Sequence, residues 1–209
     1  MKIKINLKTI FYRAYLTLLA LIAVYAISGI VLFKSVIETI NNPASFQVTG
    51  DLKSDITVVE FLNYSCQFCK AIHPTVKELL EVRKDIRYIA RPIPFESDPS
   101  TRLTKIAMAA GLQGKFWEMH NAILENPNVF IDDAFIEETS ILYDIDYAKL
   151  SEDIESDEVK KLIKENEEAI ANSGVEYIPS FMVGTKIYLM GEELPTLTDL
   201  IEMVNEAAQ

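Results

Sequence analysis

A chain of 209 residues has room for one domain of the usual ~100–150 residues and an appendage. It is 49% hydrophobic and 24% charged, with 20 Lys and Arg against 31 Asp and Glu. Nucleic acid is thereby excluded as a partner class, because phosphate binding needs clustered Lys and Arg and here acids dominate.

The charge is unevenly placed. Residues 1–34 hold Lys2, Lys4, Lys8, Arg13 and Lys34 and no acid, so the acidic excess belongs to residues 35–209. From Ala14 to Phe33 there are twenty residues without a charge, and a helix of that length, at ~1.5 Å per residue, spans the ~30 Å hydrocarbon core of a bilayer. A buried core helix, or a signal peptide cleaved near Ser28 or Ala44, are the alternatives. The apolar run is longer than the ~7–15 residues of a signal h-region and continues through Val31, Leu32 and Phe33. Basic residues ahead of the span place the N-terminus inside. The expectation is a basic cytoplasmic stretch over 1–13, a transmembrane signal-anchor over 14–33 in contact with the lipid bilayer, and a C-terminal domain on the periplasmic side of the inner membrane. Disulfides persist in such a compartment, whereas cytosolic thiols are held reduced.

Residues 34–54 are rich in Asn, Pro, Ser, Gly and Asp and read as a linker into a domain over 55–209. Ile56 to Leu62 is a β-rich run apolar on both faces, as expected of a central strand. Ile72, Val76, Leu79 and Leu80 then form one helical stripe, in a helix starting near Ser65 or Cys66 that Pro74 should kink. Ile86 to Arg91 reads as a second strand, parallel to the first through a right-handed crossover. From about 99 to 172 the apolar spacing is helical throughout. Strand signals return at Ser180–Val183 and Ile187–Met190, joined through Gly184 as a hairpin, and a last helix carries Leu197, Leu200, Ile201 and Val204. The order is βαβ, an all-helical insertion, then ββα. That is an α/β thioredoxin fold with a helical insert, preceded by one membrane helix.

The chain has two cysteines, Cys66 and Cys69, set as Cys-x-x-Cys where strand gives way to helix. A secreted domain stapled by disulfides would show more, so the pair is read as a redox centre. At a helix start the first sulfur meets free backbone N–H groups and the positive end of the helix dipole, which favour thiolate. Cys66 is therefore the attacking and leaving sulfur and Cys69 the resolving one. Haem attachment would need His at position 70, which is Lys. Zinc is the standing alternative, since His73 lies four residues beyond Cys69; His120, in an apolar stripe, reads as packing. No metal and no cofactor are expected. Glu60, six residues before Cys66, is either an exposed strand end or a buried acid able to take the proton of Cys69. Pro179 heads the third strand; a cis Ile178–Pro179 bond would turn the Ile178 backbone toward a substrate segment.

Three motifs carry a resemblance. Glu60-Phe61 with Cys66 and Cys69, the Gly114-Lys-Phe-Trp-x-Met-His120 run, and Ile178-Pro179-Ser180-Phe181 followed by Gly184 resemble the DsbA-like thiol:disulfide interchange proteins of the thioredoxin superfamily, over roughly residues 50–208. The resemblance implies Cys66 as nucleophile, Cys69 as its partner, Glu60 as the buried acid and Pro179 as a cis-proline beside the site. Strong oxidants of the family resemble Cys-Pro-His-Cys; here Gln67 and Phe68 carry no charge, and Lys70 is expected to add only the modest help of an exposed cation. The potential is therefore expected at about −180 to −270 mV, short of the about −120 mV extreme. Gln67, Phe68 and Ile178 are the expected substrate-binding residues, with Tyr64 and Phe181 read either as an added apolar surface or as core. The function implied is a membrane-anchored oxidoreductase that introduces disulfides into exported proteins with free thiols and is reoxidised by a membrane redox partner. A reductase or isomerase, or a metal-binding or chaperone module, are the alternatives.

Overall fold

The computed structural model describes residues 7–95, 99–128, 130–189 and 193–208. It divides into two compact units, Met1–Glu38 and Thr39–Gln209. The expected basic residues Lys2 and Lys4, and Met190 of the expected hairpin, lie outside the described residues.

Most of the first unit is helix α1 (Leu7–Asn41), whose last turn belongs to the second unit. From Phe11 it is long and apolar enough to cross a membrane, with a mean hydropathy of 2.5. Two of its hydroxyls bond within the helix: Thr17 donates to the Ala14 carbonyl and Ser28 to that of Val24, both at 2.8 Å.

The second unit is a five-stranded sheet with helices on both faces. Strands β1 (Val48–Gly50), β2 (Thr57–Leu62), β3 (Arg87–Pro92), β4 (Ser180–Val183) and β5 (Lys186–Leu189) lie in the order β1-β3-β2-β4-β5. β2 and β3 are parallel, joined by α2 (Gln67–Val82), and the other pairs are antiparallel. Between β3 and β4 come α3 (Ser100–Leu112), α4 (Phe116–Glu125), α5 (Asp133–Leu142), α6 (Tyr147–Asp153) and α7 (Asp157–Ser173), the helical insert; α8 (Leu197–Ala207) closes the chain. Polar caps fix these boundaries. Asp132, Asp146 and Ser156 accept from the backbone N–H three residues on, and Thr196 and Asp199 form a reciprocal capping box at α8.

The segment expected as linker departs from that reading. It contains the end of α1, a 3-10 turn at Ser45–Gln47, and β1, which pairs with β3 through Val48 and Ile89. Three residues are too few to show a strand period, so the strand owes its existence to its partner. Gly50 sits at φ +80°, and a Cβ there would lie 2.4 Å from the Ile86 carbonyl oxygen.

Period-2 alternation assigns the buried faces. Val58, Glu60 and Leu62 of β2 share a face with Tyr88 and Ala90 of β3 and with Phe181 and Val183 of β4. Val59, Phe61, Ile89, Arg91 and Met182 point the other way and are also buried. On this second face Arg91, 1% exposed, donates to the carbonyls of Thr39 and Ile40 and, at 2.9 Å, to Asn166 Oδ1 of α7. Asn166 donates to the Pro92 carbonyl, and Gln47 Nε2 bonds both Ala90 O and Asn166 Oδ1. This network ties the chain's entry into the domain to β3 and α7.

Replacing Arg91 by Leu takes this donor from the buried Ile40 carbonyl and from the buried Asn166 Oδ1, and should cost about 2–4 kcal/mol in urea unfolding of the detergent-solubilised chain. A loss within the ~0.5 kcal/mol typical of neutral surface changes would show that the network is dispensable.

Candidate active site

β2 delivers the chain to a tight turn at residues 63–66. Asn63, 1% exposed, holds it: Oδ1 accepts from Ser65 N at 2.7 Å, and Nδ2 donates to the Ile93 carbonyl and to Ser100 Oγ at 2.9 and 2.7 Å. Its carbonyl also accepts from Cys66 N. Sequence reading passed over Asn63; its signal is an Asn closing a strand ahead of a helix start, where its side chain builds an Asx turn.

Cys66 is the N-cap of α2, and its Sγ accepts from Cys69 N at 3.2 Å. The sulfur is half-buried and lies 4.0 Å from the Ile178 carbonyl oxygen. The Ile178–Pro179 bond is cis, Pro179 is buried and Ile178 half-buried. Cys69 is fully buried and, like Cys66, a free thiol. The Cys69 thiol donating to Cys66, joined by the backbone N–H groups of Cys69 and Phe68, outweighs partial burial and lowers Cys66 from 9.0 to about 6. Burial and that same donated bond drive Cys69 far upward. The pair is thus split into a ready thiolate and a thiol that needs a base.

Glu60 is 1% exposed and accepts a short hydrogen bond from the Tyr88 hydroxyl. Burial raises its carboxyl from 4.5 to about 7, with the Tyr88 bond opposing and the Cys66 charge adding. Of the two sequence readings of Glu60, exposed strand end and buried acid, the structure has the second. The acid is close enough to the cysteines that its charge helps to raise Cys69 and that the Cys66 charge helps to raise the acid. Tyr88 was not singled out from sequence, because inside a β-rich run a tyrosine reads as ordinary strand packing.

One other expectation changes, and an open reading is decided. Lys70 is not an exposed cation beside the thiolate: it is 9% exposed, and its Nζ donates to the carbonyls of Ile123, Asn126 and Asn128 at 3.0, 2.7 and 3.0 Å, capping the end of α4. Tyr64 and Phe181 are core residues at 0% and 1% exposure, so the apolar surface falls to Phe68, 58% exposed beside the exposed Gln67. The exposed aromatic Tyr177 precedes Ile178, and Phe95, also exposed, is linked to Asn63 through Ser100; neither was anticipated. His73 turns its ring to His120, with centroids 5.6 Å apart, and His120 Nδ1 bonds the Tyr64 hydroxyl at 2.9 Å. Among the described residues no group of three or more His, Cys, Asp or Glu is arranged to hold a metal ion.

Comparison with known proteins agrees with this geometry. Residues 44–205 match the profile of the family described as Thioredoxin. The chain is 38% identical over 85 residues to the Na(+)/H(+) antiporter NhaA 1 of Salinispora arenicola and 35% identical over 85 residues to NhaA 3 of Salinispora tropica. Each alignment covers 40% of this chain and 13% of the antiporter, so the chain spans about an eighth of the length of these curated relatives. Among solved structures, the thiol-disulfide exchange protein alpha-DsbA2 of Wolbachia pipientis superposes with a TM-score of 0.71 at 26% identity, covering 83% of this chain and 95% of that one. A thioredoxin-like oxidoreductase from Silicibacter pomeroyi gives 0.72 at 24% identity, covering 82% and 96%. The catalytic domain of Proteus mirabilis ScsC gives 0.71 at 21%, covering 84% and 96%. The last two show likeness of fold alone.

Alkylation of the reduced chain by iodoacetamide should follow Cys66 ionisation, with a midpoint near pH 6. Because this midpoint lies below 9.0, the thiolate's contribution to stability is full above pH 9 and is lost as pH falls through 6. Glu60 acts oppositely: its contribution is full below 4.5 and is lost as pH rises through about 7. Lys70→Met should weaken the fold by about 1–3 kcal/mol yet leave the alkylation midpoint in place. A midpoint that rises in Lys70→Met would return the lysine to the thiolate.

Proposed function

This chain belongs to the thioredoxin family, and on that premise we propose that it is a thiol–disulfide oxidoreductase of the DsbA-like type, anchored in the membrane, that donates its Cys66–Cys69 disulfide to exported proteins. The observation that carries the reading is the asymmetry of the pair. Cys66 is half-buried at a helix start with donors on its sulfur, and Cys69 is fully buried above a carboxyl.

A substrate thiolate attacks Cys66 Sγ, the Cys66–Cys69 bond breaks, and Cys69 leaves with the electron pair. Burial makes that thiolate costly, and protonated Glu60 supplies its proton. A second substrate thiolate then attacks the substrate sulfur of the mixed disulfide and releases Cys66, so two substrate thiols become one disulfide and the enzyme pair becomes a dithiol. Reoxidation reverses the proton flow: the Cys66 thiolate attacks a disulfide of the membrane redox partner and one partner sulfur leaves as thiolate, Glu60 as carboxylate takes the proton of Cys69, and the Cys69 thiolate attacks Cys66 Sγ in that mixed disulfide and expels the partner's second sulfur, so that the partner is reduced to a dithiol as the Cys66–Cys69 bond forms. The Ile178 carbonyl, with Pro179 behind it, lines the approach to Cys66, and exposed Phe68 and Gln67 offer contact to an unfolded chain.

Support for an anchor comes from α1. Apolar side chains such as Ile30 and Leu21 are 68% and 67% exposed in its unit, an arrangement suited to lipid rather than water. Basic residues precede the span, which favours an N-terminus inside and the catalytic domain in the periplasm. A reductase or isomerase is the second reading, favoured by the uncharged Gln67 and Phe68 between the cysteines and by the commitment of Lys70 to α4. Neither arrangement adds a cation to stabilise the reduced form.

In cells making the full chain, Cys69→Ala should accumulate mixed disulfides between Cys66 and exported proteins, recovered in the membrane fraction. Adducts absent, carried by cytosolic proteins or found only in the soluble fraction would contradict the roles, the compartment or the anchor respectively.

A further inference from the structure

Asn63 commits its whole side chain to the fold around the redox turn. Its Nδ2 hydrogens go to the Ile93 carbonyl, just past β3, and to the Oγ of Ser100, the first residue of α3, while Oδ1 accepts from Ser65 N. One orientation of the amide satisfies all three, because the Ile93 carbonyl can only accept and the Ser65 N–H can only donate. The residue type is therefore specific. Aspartate would turn an acceptor onto the Ile93 carbonyl, and alanine would leave it without this donor. Ser100 is 0% exposed and also accepts from Phe95 N at 3.4 Å, so the anchor is itself held by the chain that follows β3.

What the carboxamide clamps is the backbone of its own residue, and that backbone meets both cysteines. The Asn63 carbonyl accepts from Cys66 N at 3.1 Å, fixing the N-cap of α2. The Asn63 N–H donates to the Cys69 sulfur. Burial, the bond to Cys66 and the Cys66 charge push the Cys69 thiol up; the Asn63 N–H pulls it back, and the Glu60 charge adds to the rise. At 0% exposure the Cys69 sulfur has no water to stabilise a thiolate, so a donor from the protein takes the place of solvent.

We propose that Asn63 is a positioning residue for Cys69: its carboxamide, anchored at Ile93 and Ser100, fixes the turn at residues 63–66 so that its own backbone N–H stays aimed at the Cys69 sulfur when that sulfur carries negative charge. The inference rests on the oxidoreductase reading. Cys69 is a thiolate at two points of the cycle. When a substrate thiolate attacks Cys66 Sγ, the Cys66–Cys69 bond breaks and Cys69 leaves with the electron pair. When the ring closes, the Cys69 thiolate attacks Cys66 Sγ in a mixed disulfide and the bound thiol leaves with the pair. In both steps the Asn63 N–H keeps its proton and lowers the energy of the charge. Such a donor gives a net advantage below the midpoint of the thiol. A tenfold gain in thiolate loses about threefold in nucleophilicity, at a Brønsted slope of about 0.4–0.5, and leaves a gain of about threefold.

The test reads ring closure against the attack that precedes it. Reduced full-length protein in detergent is mixed with an aromatic disulfide: the Cys66 thiolate displaces one chromophoric thiolate, and Cys69 then displaces the second from the mixed disulfide, both followed by stopped flow at pH 7. Asn63→Ala is expected to slow the second release about threefold or more and the first by less than about twofold. Ser100→Ala removes one anchor of the carboxamide and leaves the bonds to Ser65 N and Cys66 N in place. It should slow the second release in the same direction, and it carries the test if Asn63→Ala does not fold. Arg91→Leu, which weakens the fold from the sheet face opposite Glu60, should keep both rates and so separates positioning from a merely structural role. A wild-type second release in Asn63→Ala, or in Ser100→Ala where the first variant does not fold, overturns the positioning role. Equal slowing of both releases, or a slowed second release in Arg91→Leu, overturns it as well. A wild-type chain that releases one thiolate only forms no Cys66–Cys69 disulfide, which overturns the oxidoreductase reading together with this inference.

Discussion

The structure depends on keeping an ionisable carboxyl dry beneath two sulfurs. Glu60 lies on a central strand covered on both faces, and an isolated carboxylate in such a place costs several kcal/mol or stays protonated. Here the conflict is settled by a midpoint near neutrality, so that the acid changes state within the range where it is useful. The position of Cys69 above it, the tyrosine that bonds it and the helix that begins at Cys66 all follow from that placement.

A cation is close in the sheet but cannot reach the acid. Glu60 pairs in register with Ala90, and Phe61 with Arg91. One residue along a strand reverses the face, so Arg91 points to the opposite side of the sheet and spends its donors on Thr39, Ile40 and Asn166. Had the two shared a face, an ion pair would have pulled the carboxyl well below neutrality and ended its service as a proton acceptor. The sheet therefore separates a reactive acid from a structural cation by one step of register. Lys70 repeats the theme: it sits one residue beyond Cys69 but reaches the end of α4. With both cations committed elsewhere, stabilisation of the Cys66 thiolate is left to N–H groups and the Cys69 thiol.

Much of this was legible in the sequence because it is local. The Cys-x-x-Cys spacing, the βαβ and ββα order, the helical insert between them and the motif around Pro179 are patterns of neighbouring residues. What escaped was set by partners far along the chain. β1 is a strand because β3 accepts it; Lys70 is a helix cap because α4 ends within reach; Tyr88 matters because β3 lies beside β2; and Tyr64 is core because His120 of α4 meets it. An aromatic or a lysine carries no sequence mark of which distant group it will meet. Glu60 was readable as an anomaly, a charge in an apolar strand, but its sealing took the packed fold to establish.

The central claim is that reduced Cys66 is stabilised by the helix start and by Cys69 with no neighbouring cation. Its equilibrium potential against glutathione, measured on the full chain in detergent, tests this most directly. The account predicts a reversible two-electron couple at about −180 to −270 mV; a value near about −120 mV would mean that a source of thiolate stabilisation is missing from it, and the lack of any reversible couple would contradict it outright.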